Sequence, residues 1–205
     1  MTRRRPRLIA LAAVALAALA VALVLLLAQP SGHRGEAPPL GSSGFAGAAL
    51  PGMPAANFVL TDQSGRRVSP ATLRGQVAVL AFVSSTCGPA CTLIAQQIRG
   101  ALDELGRAVP VLLVSVDPAG DTPARVQRFL AQVSLTGRVH YLTGTPAELR
   151  PVWRAYAIEP LSSGRSAYER SAVVVLLDRS GRARVLFGPE QLTPEALAHD
   201  IRKLS

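Results

Sequence analysis

The chain has 205 residues, 49% of them hydrophobic, with 16 prolines, 17 glycines and 2 cysteines, which is enough for one well-buried domain but too many chain breakers to be spread through regular structure. Much of the formal charge of +9 sits at the front, where Arg3, Arg4, Arg5 and Arg7 precede any acid. With 4% aromatic residues and no basic stripe interleaved with stacking rings, the composition excludes a nucleic-acid-binding protein.

Residues 1–7 read as a basic cytoplasmic tail, and residues 8–28 then run without a charge. At about 1.5 Å per residue that run crosses a hydrocarbon core of about 30 Å. The arginines precede it and the next positive charge is Arg34, so the positive-inside bias leaves the N-terminus in the cytoplasm and the rest of the chain outside. The expectation is a single-pass anchor in the cell membrane. A cleaved secretory signal is the competing reading, and both place the body in an extracytoplasmic space where thiols can be oxidised. Residues 29–54, rich in Pro, Gly, Ser and Ala and without apolar periodicity, read as a flexible linker. His33 lies in it as a solvated side chain.

The folded body is expected over 55–205. "NFVLTDQSGRRVS" gives two short runs about a Ser64-Gly65 turn, an N-terminal hairpin. Gln76 to Ser85 is a nearly continuous apolar run, as in a strand covered on both faces. After the cysteines, Leu93, Ile94, Ile98, Ala101, Leu102 and Leu105 keep helical spacing until Gly106. "VPVLLVSVD" predicts a strand, with Asp121 capping the next helix, Pro123 in its first turn and Asp117 in the loop. "RVHYLTG" predicts a short strand, and Thr145-Pro146 opens a helix that carries Trp153 and Tyr156 into the core. "SAVVVLLDRSGRARVLF" predicts two strands about Ser180-Gly181, and Thr193-Pro194-Glu195 starts the last helix. Strands alternating with helices, closed by a hairpin, imply an α/β domain with a central mixed sheet flanked by helices, and a thioredoxin-like order fits.

Both cysteines fall in "STCGPACT", where a buried strand hands over to a helix. If the helix begins near Cys87, the spacing sets Cys87 and Cys91 about one turn apart, with Cα atoms about 6 Å apart, within disulfide range. The helix dipole lowers the pKa of a thiol at that junction. Cys87, the more exposed, is expected to attack and Cys91 to resolve. A structural disulfide would close so short a loop that its entropic gain is small. Two thiolates also suit Cu(I), given a third soft donor.

The chain resembles the SCO/SenC family through "FVLTDQSGRRVSPATLRG", the strand before Cys87-x-x-x-Cys91, "VSVDPAGDTP", "YLTGTPAEL" and "SAVVVLLDRSGR". The resemblance implies a membrane-tethered thioredoxin fold acting in assembly of the copper centre of cytochrome c oxidase. It also implies copper held by the two cysteines and a histidine just before the late strand, with the cysteines alternatively cycling between dithiol and disulfide.

Two departures follow. The residues between the cysteines are Gly88-Pro89-Ala90, and Arg170 occupies the expected histidine position. A guanidinium offers no lone pair to a metal but can stabilise a nearby thiolate. His140 and His199 read as ordinary edge residues, leaving Met53 and Glu169 as weak donors. Leu80 and Ser84 stand where thioredoxin-fold peroxidases carry proline and threonine.

The expectation is thiol-disulfide exchange by Cys87 and Cys91. The client is a cytochrome c oxidase copper-centre subunit or another copper protein, with a thiol-disulfide reductant as second partner and the membrane reached through the N-terminal helix. A Cu(I) chaperone using Cys87 and Cys91, and a non-catalytic docking module, are the alternatives.

Overall fold

A computed structural model describes residues 43–205. The predicted basic tail and membrane anchor, and the first part of the predicted linker, lie outside the described residues. Among the described residues no helix is long and apolar enough to cross a membrane.

Among the described residues eight strands and five α-helices follow one another: β1 (Ala48–Pro54), β2 (Leu60–Thr61), β3 (Arg67–Val68), β4 (Ala78–Val83), α1 (Pro89–Leu105), β5 (Val111–Ser115), α2 (Pro123–Gln132), β6 (His140–Leu142), α3 (Pro146–Ala155), α4 (Arg165–Ser171), β7 (Val174–Leu177), β8 (Arg182–Phe187) and α5 (Pro194–Leu204). Six of the strands form one sheet in the order β1-β8-β7-β4-β5-β6, and β2 and β3 pair separately as the predicted hairpin. β4, β5 and β6 run parallel, whereas β7, β8 and β1 are each antiparallel to their neighbours. The sheet is therefore mixed, and its arrangement is thioredoxin-like.

β4, β5 and β7 are buried at every position, which is why they read as unbroken apolar runs rather than alternating ones. α1 buries Ile94, Ile98, Ala101 and Leu102 and stops at Gly106 in the left-handed region. It also passes close to α5, since a Cβ at Gly100 would stand 2.8 Å from the Pro194 ring. α3 starts on a capping box between Thr145 and Glu148.

Two expectations need correction. The linker does not run to residue 54, because Ala48–Pro54 is β1, paired antiparallel with β8 and bulged between Ala49 and Met53. Its prolines are tolerated because it is an edge strand. The approach to β1 is fixed by Asp200 of α5, fully buried, whose carboxylate accepts the Ala46 N–H at 2.9 Å and the Gly47 N–H at 3.0 Å. Nor does Asp121 cap α2. The cap is Thr122, whose hydroxyl accepts the Arg125 N–H, while Asp121 turns inward.

The pairing registers bring the C-terminal ends of β4, β5, β6 and β8 and the N-terminal ends of β1 and β7 to one end of the sheet. The cysteine loop, the 116–122 loop and α4 gather there.

At the β2–β3 hairpin the Asp62 carboxylate accepts the Ser64 N–H at 2.9 Å, the Arg66 N–H at 3.0 Å and the Ser64 hydroxyl at 2.6 Å, and lies 2.9 Å from His140 Nδ1. Burial opposes its ionisation, but the bonds from Ser64, His140 and Arg66 outweigh it and hold its pKa far below the ordinary value. A depressed carboxylate stabilises the fold fully above its unfolded pKa of about 3.9, and that contribution is lost as pH falls. Asp62→Asn should therefore destabilise the chain by about 1–3 kcal/mol at neutral pH. Urea midpoints measured from pH 7 downward should show the gap between variant and parent closing in acid.

Candidate functional site

β4 delivers Ser84, Ser85 and Thr86 to the end of the sheet, and the chain then turns through Cys87 into α1. Gly88 is the N-cap of α1 with φ +77° and ψ −139°, and Pro89 opens the helix. That conformation is close to glycine-only. The space is tight as well, since a Cβ on Gly88 would stand 3.2 Å from the Arg165 guanidinium. Cys87 thus precedes the helix and Cys91 lies in its first turn. The two are joined in a disulfide, with Cα atoms 5.9 Å apart.

Both cysteines are fully buried, at 0% exposure, which corrects the expectation that Cys87 is the more exposed. α4 meets this loop through Arg165, which donates a hydrogen bond to the Cys87 carbonyl. Cys91 is enclosed from two sides. The Ser84 N–H points at its Sγ from 3.2 Å, and the Tyr168 hydroxyl lies 3.2 Å away. Tyr168 also donates to the Phe82 carbonyl at 2.7 Å.

Behind the loop stands the buried carboxylate of Asp121. One oxygen accepts the Ser84 hydroxyl at 2.9 Å, the Ser85 N–H at 2.8 Å and the Ser85 hydroxyl at 2.7 Å. The other accepts the Ser115 hydroxyl at 2.6 Å and the Tyr141 hydroxyl at 2.8 Å. Burial, and then the Asp121 charge, push the Tyr141 hydroxyl well above its usual pKa, so it remains a donor. Asp117 joins the same assembly, accepting the Thr86 hydroxyl at 2.6 Å and the Gly120 N–H at 3.0 Å. The two aspartates, read from sequence as a cap and a loop residue, instead tie the cysteine loop to the loop after β5.

The structure does not gather the other expected donors. His140 Nδ1 lies 2.9 Å from Asp62, and His199 Nδ1 lies 2.8 Å from Asp200. Met53 stands exposed on β1, opposite Ala183. Arg170 and Glu169 line a cavity with Leu186, Gly188 and Glu190. Among the described residues no group of three or more His, Cys, Asp or Glu side chains is placed to hold a metal ion. Trp153 is a core residue as expected, buried and donating to the Ser115 carbonyl at 2.9 Å.

The profile of the SCO1/SenC family matches residues 50–205. The chain belongs to that family. The match begins inside β1, in keeping with a domain that starts earlier than composition alone suggests. An SCO2-like protein of Rickettsia prowazekii (strain Madrid E) is 25% identical over 134 residues, which span 61% of this chain and 64% of the relative's length. Among solved structures, ScoI of Bradyrhizobium japonicum with copper bound aligns at 27% identity and a TM-score of 0.56, covering 74% of this chain and 99% of that one. BsSco, in which a disulfide switch has been identified and which belongs to the Sco family of cytochrome c oxidase assembly proteins, aligns at 20% identity and a TM-score of 0.64. It covers 77% of this chain and 96% of BsSco, and at that identity the likeness is one of fold.

Asp121 carries a buried charge with no cation hydrogen-bonded to it among the described residues, so its stability rests on hydroxyl and amide donors. Asp121→Asn, whose NH₂ faces donors, should cost about 2–3 kcal/mol. Chemical denaturation of the oxidised chain checks this, with Asp117→Asn as the milder comparison because its carboxylate collects fewer donors.

Proposed function

We propose that the chain is a membrane-tethered, extracytoplasmic SCO/SenC protein whose Cys87–Cys91 disulfide exchanges with client cysteines. The proposed client is the copper-receiving subunit of cytochrome c oxidase. The observation that carries this reading is the surroundings of the sulfurs. A disulfide of suitable span sits at the start of a helix, with the Ser84 N–H on Cys91, the Tyr168 hydroxyl within reach of the same sulfur and a guanidinium against the Cys87 loop. Donors of this kind favour a thiolate leaving group and offer a metal no lone pair of the soft kind it needs.

Exchange at a fully buried disulfide requires the cover to move. Arg165 is the group to displace, because it is an exposed residue whose guanidinium meets the loop at the Cys87 carbonyl. Losing one charge-assisted bond at the Cys87 carbonyl is worth about 1.5 kcal/mol, and about 1.4 kcal/mol is a factor of ten in an equilibrium. Arg165→Ala should therefore speed reduction of the disulfide by dithiothreitol about tenfold. An unchanged rate would mean that Arg165 does not control access.

A second reading is copper carriage, supported by the copper-bound Bradyrhizobium japonicum ScoI. Reduced Cys87 and Cys91 would supply two thiolates, which suit Cu(I). The described residues fit a two-sulfur site, and no imidazole lies beside it to make a third donor. Two measurements on the full-length chain in its membrane separate the two readings. In Cys91→Ala the Cys87 thiolate attacks a client disulfide and no second thiol releases the mixed disulfide, so an oxidase copper subunit should be found attached. Recovery of nothing above background, together with reduced parent protein holding one equivalent of Cu(I) against a competing chelator, would replace exchange with copper carriage.

A further inference from the structure

We propose that Tyr168 is a positioning residue for the exchange, its hydroxyl turning from the Phe82 carbonyl onto Cys91 Sγ as the disulfide opens, so that Cys91 is the sulfur that leaves and Cys87 the one attacked. This rests on the exchange reading above and adds to it the direction of attack and the group that enforces it.

The geometry is specific. Tyr168 is fully buried, and its Oη stands 2.7 Å from the Phe82 oxygen and 3.2 Å from Cys91 Sγ. A disulfide sulfur carries no hydrogen and is a weak acceptor, so in the oxidised protein the single hydroxyl hydrogen belongs to Phe82. A thiolate is a far stronger acceptor than a neutral carbonyl. Rotation about one C–O bond moves the hydrogen to it without moving any heavy atom. The Ser84 N–H, 3.2 Å from the same sulfur, supplies a second fixed donor. On the Cys87 side α4 instead presents Arg165 to the carbonyl.

In the step itself a client thiolate attacks Cys87 Sγ. The Cys87–Cys91 bond breaks, and its electron pair goes to Cys91 Sγ. A client–Cys87 disulfide forms, the client sulfur being oxidised and Cys91 reduced. The hydrogen stays on Tyr168 Oη throughout, and Cys91 takes its proton later from water. Because the thiol of lower pKa leaves faster, two donors on Cys91 direct the attack to Cys87. Burial, helped by Glu169, pushes the Tyr168 hydroxyl well above the usual tyrosine pKa, so it remains a donor at any working pH. The charged groups around the pair are Arg165 at the Cys87 carbonyl, Asp121 behind Ser84 and Glu169 beside Tyr168, and the test leaves all three intact.

The test uses the full-length chain in detergent. In Cys87→Ser, Cys91 is the only thiol, and its ionisation is followed by thiolate absorbance near 240 nm. Adding Tyr168→Phe should lower the Cys91 ionisation constant about tenfold. With both cysteines present, Tyr168→Phe should shift the equilibrium with the dithiothreitol couple about tenfold toward the disulfide, about 30 mV for two electrons. A purely structural tyrosine would change the unfolding midpoint and leave both quantities alone, and that result overturns the proposal. Should Tyr168→Phe fail to fold, 3-fluorotyrosine at position 168 keeps the shape and makes the hydroxyl a stronger donor. It must raise the ionisation constant, and no change refutes the assignment. A parent disulfide that dithiothreitol cannot reversibly open and close overturns the exchange reading itself, an outcome distinct from unchanged values in the variants.

Discussion

The site end of the sheet is organised by a negative charge kept out of water. Asp121 is buried, and among the described residues no cation bonds to it, so its solvation is replaced by hydroxyls and an amide drawn from β4, β5 and β6 and their loops. Such a replacement works only if every donor is in place. The requirement runs both ways: the carboxylate needs Ser84, Ser85, Ser115 and Tyr141, and those residues are held in position by it. The Ser84 N–H that meets Cys91 is therefore part of a rigid scaffold, although the loop carrying it has no regular structure of its own.

Most of the fold was legible because period and burial agree. β4, β5 and β7 read as unbroken apolar runs, the α1 stripe keeps helical spacing to Gly106, and Thr-Pro marks the starts of α2, α3 and α5. β1 was not legible. "AALPGMP" has the composition of a linker, and what makes it a strand is the free edge of β8 and the Asp200 carboxylate, both supplied from the far end of the chain. α4 was missed for a related reason, since "RSAYERS" has one buried residue in seven and no repeat to detect.

The site was legible in its sulfurs and not in its setting. The spacing of Cys87 and Cys91 anticipated a span that a disulfide can bridge. Asp121, between Gly120 and Thr122-Pro123, carries the local signature of a cap, and only the fold shows it facing Ser84 across the sheet end. The resemblance to the family points to Arg170, yet the residues of α4 that meet the cysteine loop are Arg165 and Tyr168. They sit three apart, on one face of a short helix, a relation visible only once that helix is known to exist.

The zero exposure of both sulfurs has a further consequence for choosing partners. Under the exchange proposed above, a small thiol diffusing past would waste its collisions unless they coincided with a spontaneous opening, whereas a protein whose own surface competes for Arg165 would create the opening as it docks. Selectivity would then reside in what must move and reactivity in the sulfur beneath it.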